Sequence, residues 1–178
     1  MTPNRPRCSV FIATSLDGYI ARRDGGIDWL HSVDMPGENY GYQAFFDSVD
    51  ALVLGRKSYD VVLGFPEWTY PGKRCVVLTH RPAESLHGEE FYSGDVKALV
   101  QQLGDSGVRR IYVDGGEVIR QFLKAGFIDD MTISVIPVLL GDGIRLFVGG
   151  EPEQRLKLES SQSWESGLAQ LRYRVENR

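Results

Sequence analysis

Short apolar runs alternate along this chain with stretches whose apolar residues fall at helical spacing, and the change is made at glycine corners. ALVLG (51–55) stops at Gly55 and gives way to a predicted helix over 56–63, ended by Gly64 and Pro66. RRIYVDGG (109–116) does the same before a predicted helix over 117–125, with Gly126 as its stop. Between them lie KRCVVLTH (73–80), EEFYSG (89–94) and a predicted helix that begins at Asp95 as N-cap and stops at Gly104. RCSVFIAT (7–14) opens the series as a buried strand ended by the turn SLDG. ENYGYQAFFDSV (38–49) places Tyr42, Phe45, Phe46 and Val49 at helical spacing, and DDMTISVIPVLLGDG (129–143) reads as a long sixth strand and a glycine-marked loop.

Strand and helix alternate in this way through residue 140, and several strands are apolar on both faces. That pattern predicts an α/β fold, a mostly parallel central sheet with helices on both sides. The tail RLKLESSQSWESGLAQLRYRVE (155–176) is two alternating runs around ESG, the signal of a C-terminal antiparallel hairpin. No repeat, low-complexity segment or linker divides the 178 residues, which suit one domain. Residues 21–37 and 64–73 are the most irregular, rich in Gly, Pro and Trp, and are placed to border a cleft.

Composition narrows the function. The chain carries 20 basic and 24 acidic residues, a net charge of −4, which argues against nucleic acid and anionic membrane as partners. An anion must be held by a local cluster. No apolar run approaches the about 20 residues needed to span a bilayer. The opening MTPNRPRCSVFIATSLDG is a poor secretory signal, so a cytoplasmic protein is expected. Cys8 and Cys75 sit in apolar strand-like runs, where reduced, buried thiols are expected.

In open α/β sheets ligands bind beyond the carboxyl ends of the strands. Here those ends carry Thr14-Ser15-Leu16-Asp17-Gly18, Gly55-Arg56-Lys57-Ser58, Thr79-His80-Arg81 and Asp114-Gly115-Gly116. Two of them open a helix directly, where free N–H groups and the positive end of the dipole favour phosphate. GRKS (55–58) echoes a P-loop, but the required earlier glycine is Asp50, and DGGEVI (114–119) lacks the dinucleotide fingerprint. Two phosphate-friendly corners nonetheless suit a dinucleotide. A hydroxyl and a cation at Thr79-His80-Arg81, where an NAD site would place an acid, suit a 2′-phosphate, so NADP is favoured over NAD. His31, His80 and His87 have no metal-ligand spacing, and no metal is expected. GxSxG and the zinc-deaminase signature are missing as well.

SLDGYIA (15–21), LGRKSYD (54–60), VVLTHR (76–81) and IYVDGG (111–116), in this order, resemble the dihydrofolate reductase-like fold. With PVLLGDGIRLF (137–147) they are most similar to the C-terminal reductase domain of the bifunctional deaminase–reductases of riboflavin biosynthesis and its stand-alone bacterial relatives. The resemblance covers about 8–176 and implies a three-layer sandwich that uses NADPH. It puts the 2′-phosphate near Arg56, Thr79, His80 and Arg81, with Gly55, Lys57 and Ser58 toward the phosphates. Gly115, Gly116, Glu117 and Val118 would line the pyrophosphate and nicotinamide side. Ala13, Asp17 and Gly18 would border the nicotinamide, under a mobile loop over 17–30.

On the substrate side, Glu38 matches the region of the carboxylate that classical dihydrofolate reductases use, and it is equally an acid stabilised by a helix dipole. Asp17 either orients substrate and cofactor or shapes an Asp-Gly turn. Asp114 is read as a cap of the following helix. Water held by Asp17 or Glu38 is the expected proton source. Trp29, Tyr42, Phe45 and Tyr59 are candidates to stack on a flat heterocycle, and Leu140, Gly141 and Gly143 to border it. The implied activity is hydride transfer from NADPH to a C=N or C=O bond of a pyrimidine- or pteridine-like molecule, as in 5-amino-6-(5-phosphoribosylamino)uracil reductase. Dihydrofolate reductase itself, a flavodoxin-like carrier and a non-catalytic nucleotide-binding protein are the alternatives. The C-terminal hairpin offers an edge for a homodimer.

Overall fold

A computed structural model describes residues 5–176. Ten strands are present among them: β1 (Arg7–Ser15), β2 (Tyr19–Ala21), β3 (Ala51–Gly55), β4 (Arg74–Leu78), β5 (Glu90–Tyr92), β6 (Arg110–Asp114), β7 (Ile128–Ile136), β8 (Ile144–Arg145), β9 (Leu156–Ser163) and β10 (Ala169–Val175). The helices are α1 (Tyr42–Asp47), α2 (Arg56–Leu63), α3 (Val96–Asp105) and α4 (Gly116–Lys124), with a 3-10 segment at Asp28–Val33. Eight strands form one sheet in the order β5-β4-β3-β6-β1-β7-β10-β9. The first six are mutually parallel, whereas β10 runs antiparallel to β7 and to β9. β2 and β8 pair separately.

Successive strand residues point to opposite faces, and the core follows that rule. Val53, Val76, Ile111 and Val113 join α3 and α4 through Leu99, Leu103, Ile119 and Phe122 in one buried cluster. Their neighbours Leu52, Leu54, Cys75, Val77 and Tyr112 face the other way, with Phe45, Phe46, Tyr59 and Val62 of α1 and α2. Both faces of β3 are therefore dry, and its first four residues are all buried. Each fully buried leucine contributes about 1.5–3 kcal/mol on burial. Leu52→Asp would leave an unpaired charge in this layer. Burial also pushes the thiols of Cys8 and Cys75 up to about 12, and both are free.

The connections leave a crevice. β3 continues to β4, toward the β5 edge; β6 continues to β7, beyond β1 on the opposite side. The chain departs in opposite directions from the adjacent carboxyl ends of β3 and β6, the switch at which such sheets bind ligands.

Several boundaries differ from the sequence expectation. The helix expected over 38–49 occupies only Tyr42–Asp47, because the chain first turns through Tyr40 at φ +54 and Gly41 at φ +80. Glu38 is thus outside the helix, and the dipole reading of it falls away. The sixth strand, expected within 129–143 ahead of a glycine-marked loop, ends at Ile136, before Pro137. α3 passes through Gly104 to Asp105, and the left-handed turn falls at Gly107. Among the described residues no helix is long and apolar enough to cross a membrane.

Candidate active site

The two helix starts meet at the switch point. α2 begins after Gly55 and α4 after Gly115, and neither N-cap residue offers a side-chain hydrogen bond to the helix. First-turn N–H groups are therefore left for other acceptors. The two corners touch: a Cβ on Gly115, which has φ +91, would lie 2.5 Å from Ser58 Oγ, and one on Gly55 would lie 3.2 Å from Val118 Cγ2. At Gly115 the positive φ and the close approach together favour glycine.

Beside the corners opens a cavity of 1410 Å³. One end is cationic. Arg56, Lys57 and Ser58 of α2 face the turn Thr79-His80-Arg81 after β4. Arg56 bridges them, pairing with Asp60 at 2.8 Å and donating to the Arg81 carbonyl. Thr79 Oγ1 accepts from the Arg81 N–H at 3.0 Å and shapes the turn. The side chains of Lys57 and Arg81 have no hydrogen-bond or ion-pair partner among the described residues.

Glu89 ties α2 to the loop that precedes β5. This buried carboxylate accepts from the Tyr59 hydroxyl, the Leu86 N–H at 3.0 Å and the His87 N–H at 2.7 Å. Burial opposes its ionisation, but these donors prevail and hold it down at about 2.

The other end is aromatic. Tyr42 packs on Phe11 with ring centroids 5.6 Å apart, and Tyr112 lies 6.3 Å from Tyr42 and 6.5 Å from Tyr70. Among these rings sits Asp114. Its Oδ2 accepts from the Tyr70 hydroxyl at 3.1 Å and its Oδ1 from the Gly115 N–H at 2.9 Å. Asp114 does not cap α4, whose N-cap is Gly115. The alternation of β6 turns its carboxylate toward Tyr112's face instead. Burial raises its proton affinity, against the Tyr70 and Gly115 hydrogen bonds. Burial likewise drives Tyr70 and Tyr112 well above their ordinary range, and Tyr42 up to about 12, so all three hydroxyls stay protonated.

Of the residues expected at a cofactor, Ala13, Gly55, Arg56, Lys57, Ser58, Thr79, His80, Arg81, Gly115, Gly116, Glu117 and Val118 all line this cavity, whereas Gly18 does not. Of those expected at a substrate, only Tyr42 lines it. Trp29 and Phe45 are buried in core clusters, and Tyr59 is buried with its hydroxyl on Glu89. Asp17 lies outside the cavity. It accepts from Ser15 Oγ at 2.6 Å, the Leu140 N–H at 3.1 Å and the Gly141 N–H at 2.8 Å, and thereby pins Leu140 and Gly141 to the first turn. Ser15 and these amides lower its pKa. Glu38 also lies outside, accepting from the Tyr40 N–H and from Trp164 Nε1 at 3.1 Å. Gly143 closes on Ala21, whose carbonyl a Cβ there would overlap. Both irregular stretches do border the cavity, through Ala21, Leu30 and Val33, and through Thr69 and Tyr70. Sequence reasoning missed Asp114 and Tyr70 as site residues. Asp114 was within reach, because it stands two residues after Tyr112 on the same strand. No cluster of metal-ligating side chains is present among the described residues.

With this geometry in view, comparison with known proteins gives a consistent answer. The model of the RibD C-terminal domain matches residues 6–169. An uncharacterized Bacillus subtilis protein, YwjB, is 38% identical over 92% of this chain and 95% of its own length. The crystal structure of a putative riboflavin biosynthesis protein from Shewanella sp. PV-4 superposes with a TM-score of 0.90 at 37% identity, covering 96% of this chain and 99% of that one. Dihydrofolate reductase from Enterococcus faecalis, complexed with NADP(H) and RAB-propyl, superposes with a TM-score of 0.67 at 15% identity over 97% of this chain and 98% of that one, which shows a shared fold. The chain belongs to the RibD C-terminal domain family, a reductase domain of dihydrofolate reductase-like α/β fold.

Proposed function

We propose that this protein is an NADPH-dependent reductase of a flat nitrogen heterocycle. The observation that carries the reading is the pairing of two uncapped helix starts, locked together at Gly115 and Ser58, with two uncommitted cations, Lys57 and Arg81, on one cavity wall. The residues fit the group that the family implies. N–H groups opening α2 and α4 receive phosphate oxygens without competition from a capping side chain. Lys57 and Arg81, with Thr79 and His80, suit the additional phosphate of NADPH and give NADH no matching acid. The structure of Enterococcus faecalis dihydrofolate reductase with NADP(H) lends the same fold precedent.

Bound NADPH would supply the hydride. The chain's own residues orient and protonate. Phe11, Tyr42 and Tyr112 form an apolar wall that keeps water from the reacting face. Asp114, beside that wall and with its proton affinity raised by burial, holds a proton at Oδ2 and passes it to the nitrogen or oxygen that receives the electron pair of the reduced double bond. Tyr70 keeps that carboxyl in one orientation. Asp17 and Glu38 stand outside the cavity and have no part in this scheme.

Calorimetric titration with NADPH and with NADH tests the reading. NADPH is expected to bind more tightly, and Arg81→Ala to narrow the difference through loss of a charge-assisted contact of about 1.5–3 kcal/mol. No heat with millimolar NADPH would sink the proposal.

We also propose that β9 pairs with a second copy. All eight of its residues are exposed, on the free edge of the sheet. An antiparallel pair centred on Leu158 places Leu158 opposite itself, a self-complementary arrangement, while Glu159, at the register shift beside Tyr173, stays ion-paired with Arg172 of its own chain.

A further inference from the structure

We propose that Ser134 is a substrate-contacting hydrogen-bond donor and Gln170 the positioning residue that fixes its polarity, so that the site selects a heterocycle with a carbonyl oxygen on its ring. The inference rests on the reading of the cavity as the place where a flat nitrogen heterocycle is reduced, and names one group by which that heterocycle is held.

Ser134 lies on β7, opposite Ala13 of β1 on one side and Gln170 of β10 on the other. Phe11, two residues before Ala13, packs on Tyr42 and Phe45, and Phe45 packs on Tyr112. By the two-residue period of strands, Phe11, Ala13 and Ser134 therefore share the sheet face of Tyr112 and Asp114. Ser134 is only 4% exposed, yet it lines the cavity together with Ala13 and Ile136.

The polarity of the hydroxyl follows from its partner. A backbone carbonyl only accepts, so the Tyr40 oxygen draws the amide nitrogen of Gln170, not its oxygen, to 2.9 Å. The second hydrogen of that nitrogen goes to Ser134 Oγ at 3.0 Å. An amide nitrogen cannot accept in return, so the Ser134 hydrogen points elsewhere, and no acceptor takes it among the described residues. A buried donor left in this state is unfavourable and is completed by an acceptor on the occupant. Ser134 is recessed, so an exocyclic oxygen that projects from a ring edge reaches it, whereas a ring nitrogen sits back between its neighbours.

The backbone of Tyr40 points the same way. Among the described residues Tyr40 alone combines a side chain with a positive φ, +54. Such a conformation persists where its surroundings fix it, and it concentrates at ligand sites. Three bonds fix it: its N–H to Glu38 Oε1 at 2.6 Å, its hydroxyl to the Val33 carbonyl, and its own carbonyl to Gln170. The third is the one that continues to Ser134. The strained residue and the free hydroxyl are thus set by one amide group.

Equilibrium binding to the full chain, without cofactor, tests this with two pairs of probes. These are 7,8-dihydropterin against 2,4-diamino-7,8-dihydropteridine, and 5,6-diaminouracil against 2,4,5,6-tetraaminopyrimidine. In each pair the second member carries amino groups where the first has ring carbonyls. At least one oxo probe is expected to bind tenfold or more tightly than its amino counterpart, because a site built to donate rejects a group that cannot accept. Ser134→Ala should bring the pair within twofold, and Ser134→Thr should keep the preference. Gln170→Glu should lose it, because a carboxylate takes the Ser134 hydrogen. Thermal midpoints and NADPH affinity within twofold of the parent show that the variants are folded. No preference for an oxo probe, no binding of any probe at millimolar concentration, or a preference retained in Ser134→Ala or in folded Gln170→Glu would each overturn the inference. The parallel NADPH titration keeps the two readings apart. A parent that ignores NADPH but shows the oxo preference loses the nucleotide assignment alone; one that binds NADPH without the preference loses only this inference.

Discussion

Gly115 and Ser58 lie so close that one methyl group between them would sit 2.5 Å from the hydroxyl oxygen. The contact joins the start of α4 to the first turn of α2, and so joins the halves of the sheet that diverge at the switch point. It also sets the spacing of the two sets of free N–H groups. The geometry of this corner thus depends on a residue with no side chain.

Gly115→Ala separates strain from fit. At φ +91 alanine costs about 1–3 kcal/mol, and the collision with Ser58 adds to this. Gly88→Ala is the control: it has φ +83 with nothing within 4 Å of the added Cβ. Both variants are expected to lower the thermal midpoint, Gly115→Ala more. Only Gly115→Ala is expected to weaken NADPH, by tenfold or more in calorimetry. Equal losses in both variants would show that the corner contact is irrelevant to the nucleotide.

Tyr59 and Glu89 tie acid stability to the packing of α2 on the loop before β5. The Glu89 carboxyl falls from 4.5 to about 2 on folding. A depressed acid contributes stability that is present above its unfolded pKa and lost as pH falls through the folded value. The loss should therefore run from about pH 4.5 down to about pH 2. Tyr59→Phe removes one donor, which costs about 1.5–3 kcal/mol at neutral pH and moves the acid-unfolding midpoint upward. Urea unfolding followed between pH 2 and 5 measures both. An unchanged acid midpoint in Tyr59→Phe would show that the hydroxyl does not hold the carboxylate.

Asp114 is expected to behave in the opposite sense. Folding raises its proton affinity, so it favours the native state below the unfolded carboxyl pKa and opposes it once pH passes the raised folded value. Asp114→Asn keeps an acceptor for the Gly115 N–H and removes the buried charge. The variant should match or exceed the parent in thermal midpoint at pH 8, with the advantage shrinking as pH falls from the raised folded value toward the ordinary carboxylate range, where it is gone. Its turnover should be lost. Stability surrendered for function in this way is common at active sites.

The parallel layers were legible because burial on both faces writes itself as unbroken apolar runs such as ALVLG, and the hairpin because its strands alternate about ESG. The cationic wall was legible because Gly55, Thr79 and Gly115 end neighbouring parallel strands, so residues far apart in sequence arrive at one rim. What stayed hidden depends on side-chain direction and on loops. Asp17 sits at a strand end like the others, yet it turns onto the Leu140 and Gly141 amides, contacts made 123 and 124 residues away. Tyr59 carries the spacing of a ligand-facing ring, but α2 rotates it inward to Glu89. Tyr70 lies in an irregular segment with no period to aim it.

The edge strand supplies the last expectation. Leu156 and Leu158 are 43% and 50% exposed on β9, although both occupy the same face as the apolar residues of β10, to which they pair. The exposed edge is interrupted by a register shift beside Tyr173, and the Leu156–Leu158 stretch on one side of it is what remains open to another strand. If β9 pairs with its copy across Leu158, Leu158→Lys sets two like charges against each other at the symmetry axis. The parent should sediment as a dimer and the variant as a monomer with an unchanged thermal midpoint at low protein concentration. A monomeric parent, or a Leu158→Lys variant that stays dimeric, would show that the strands do not meet in this register.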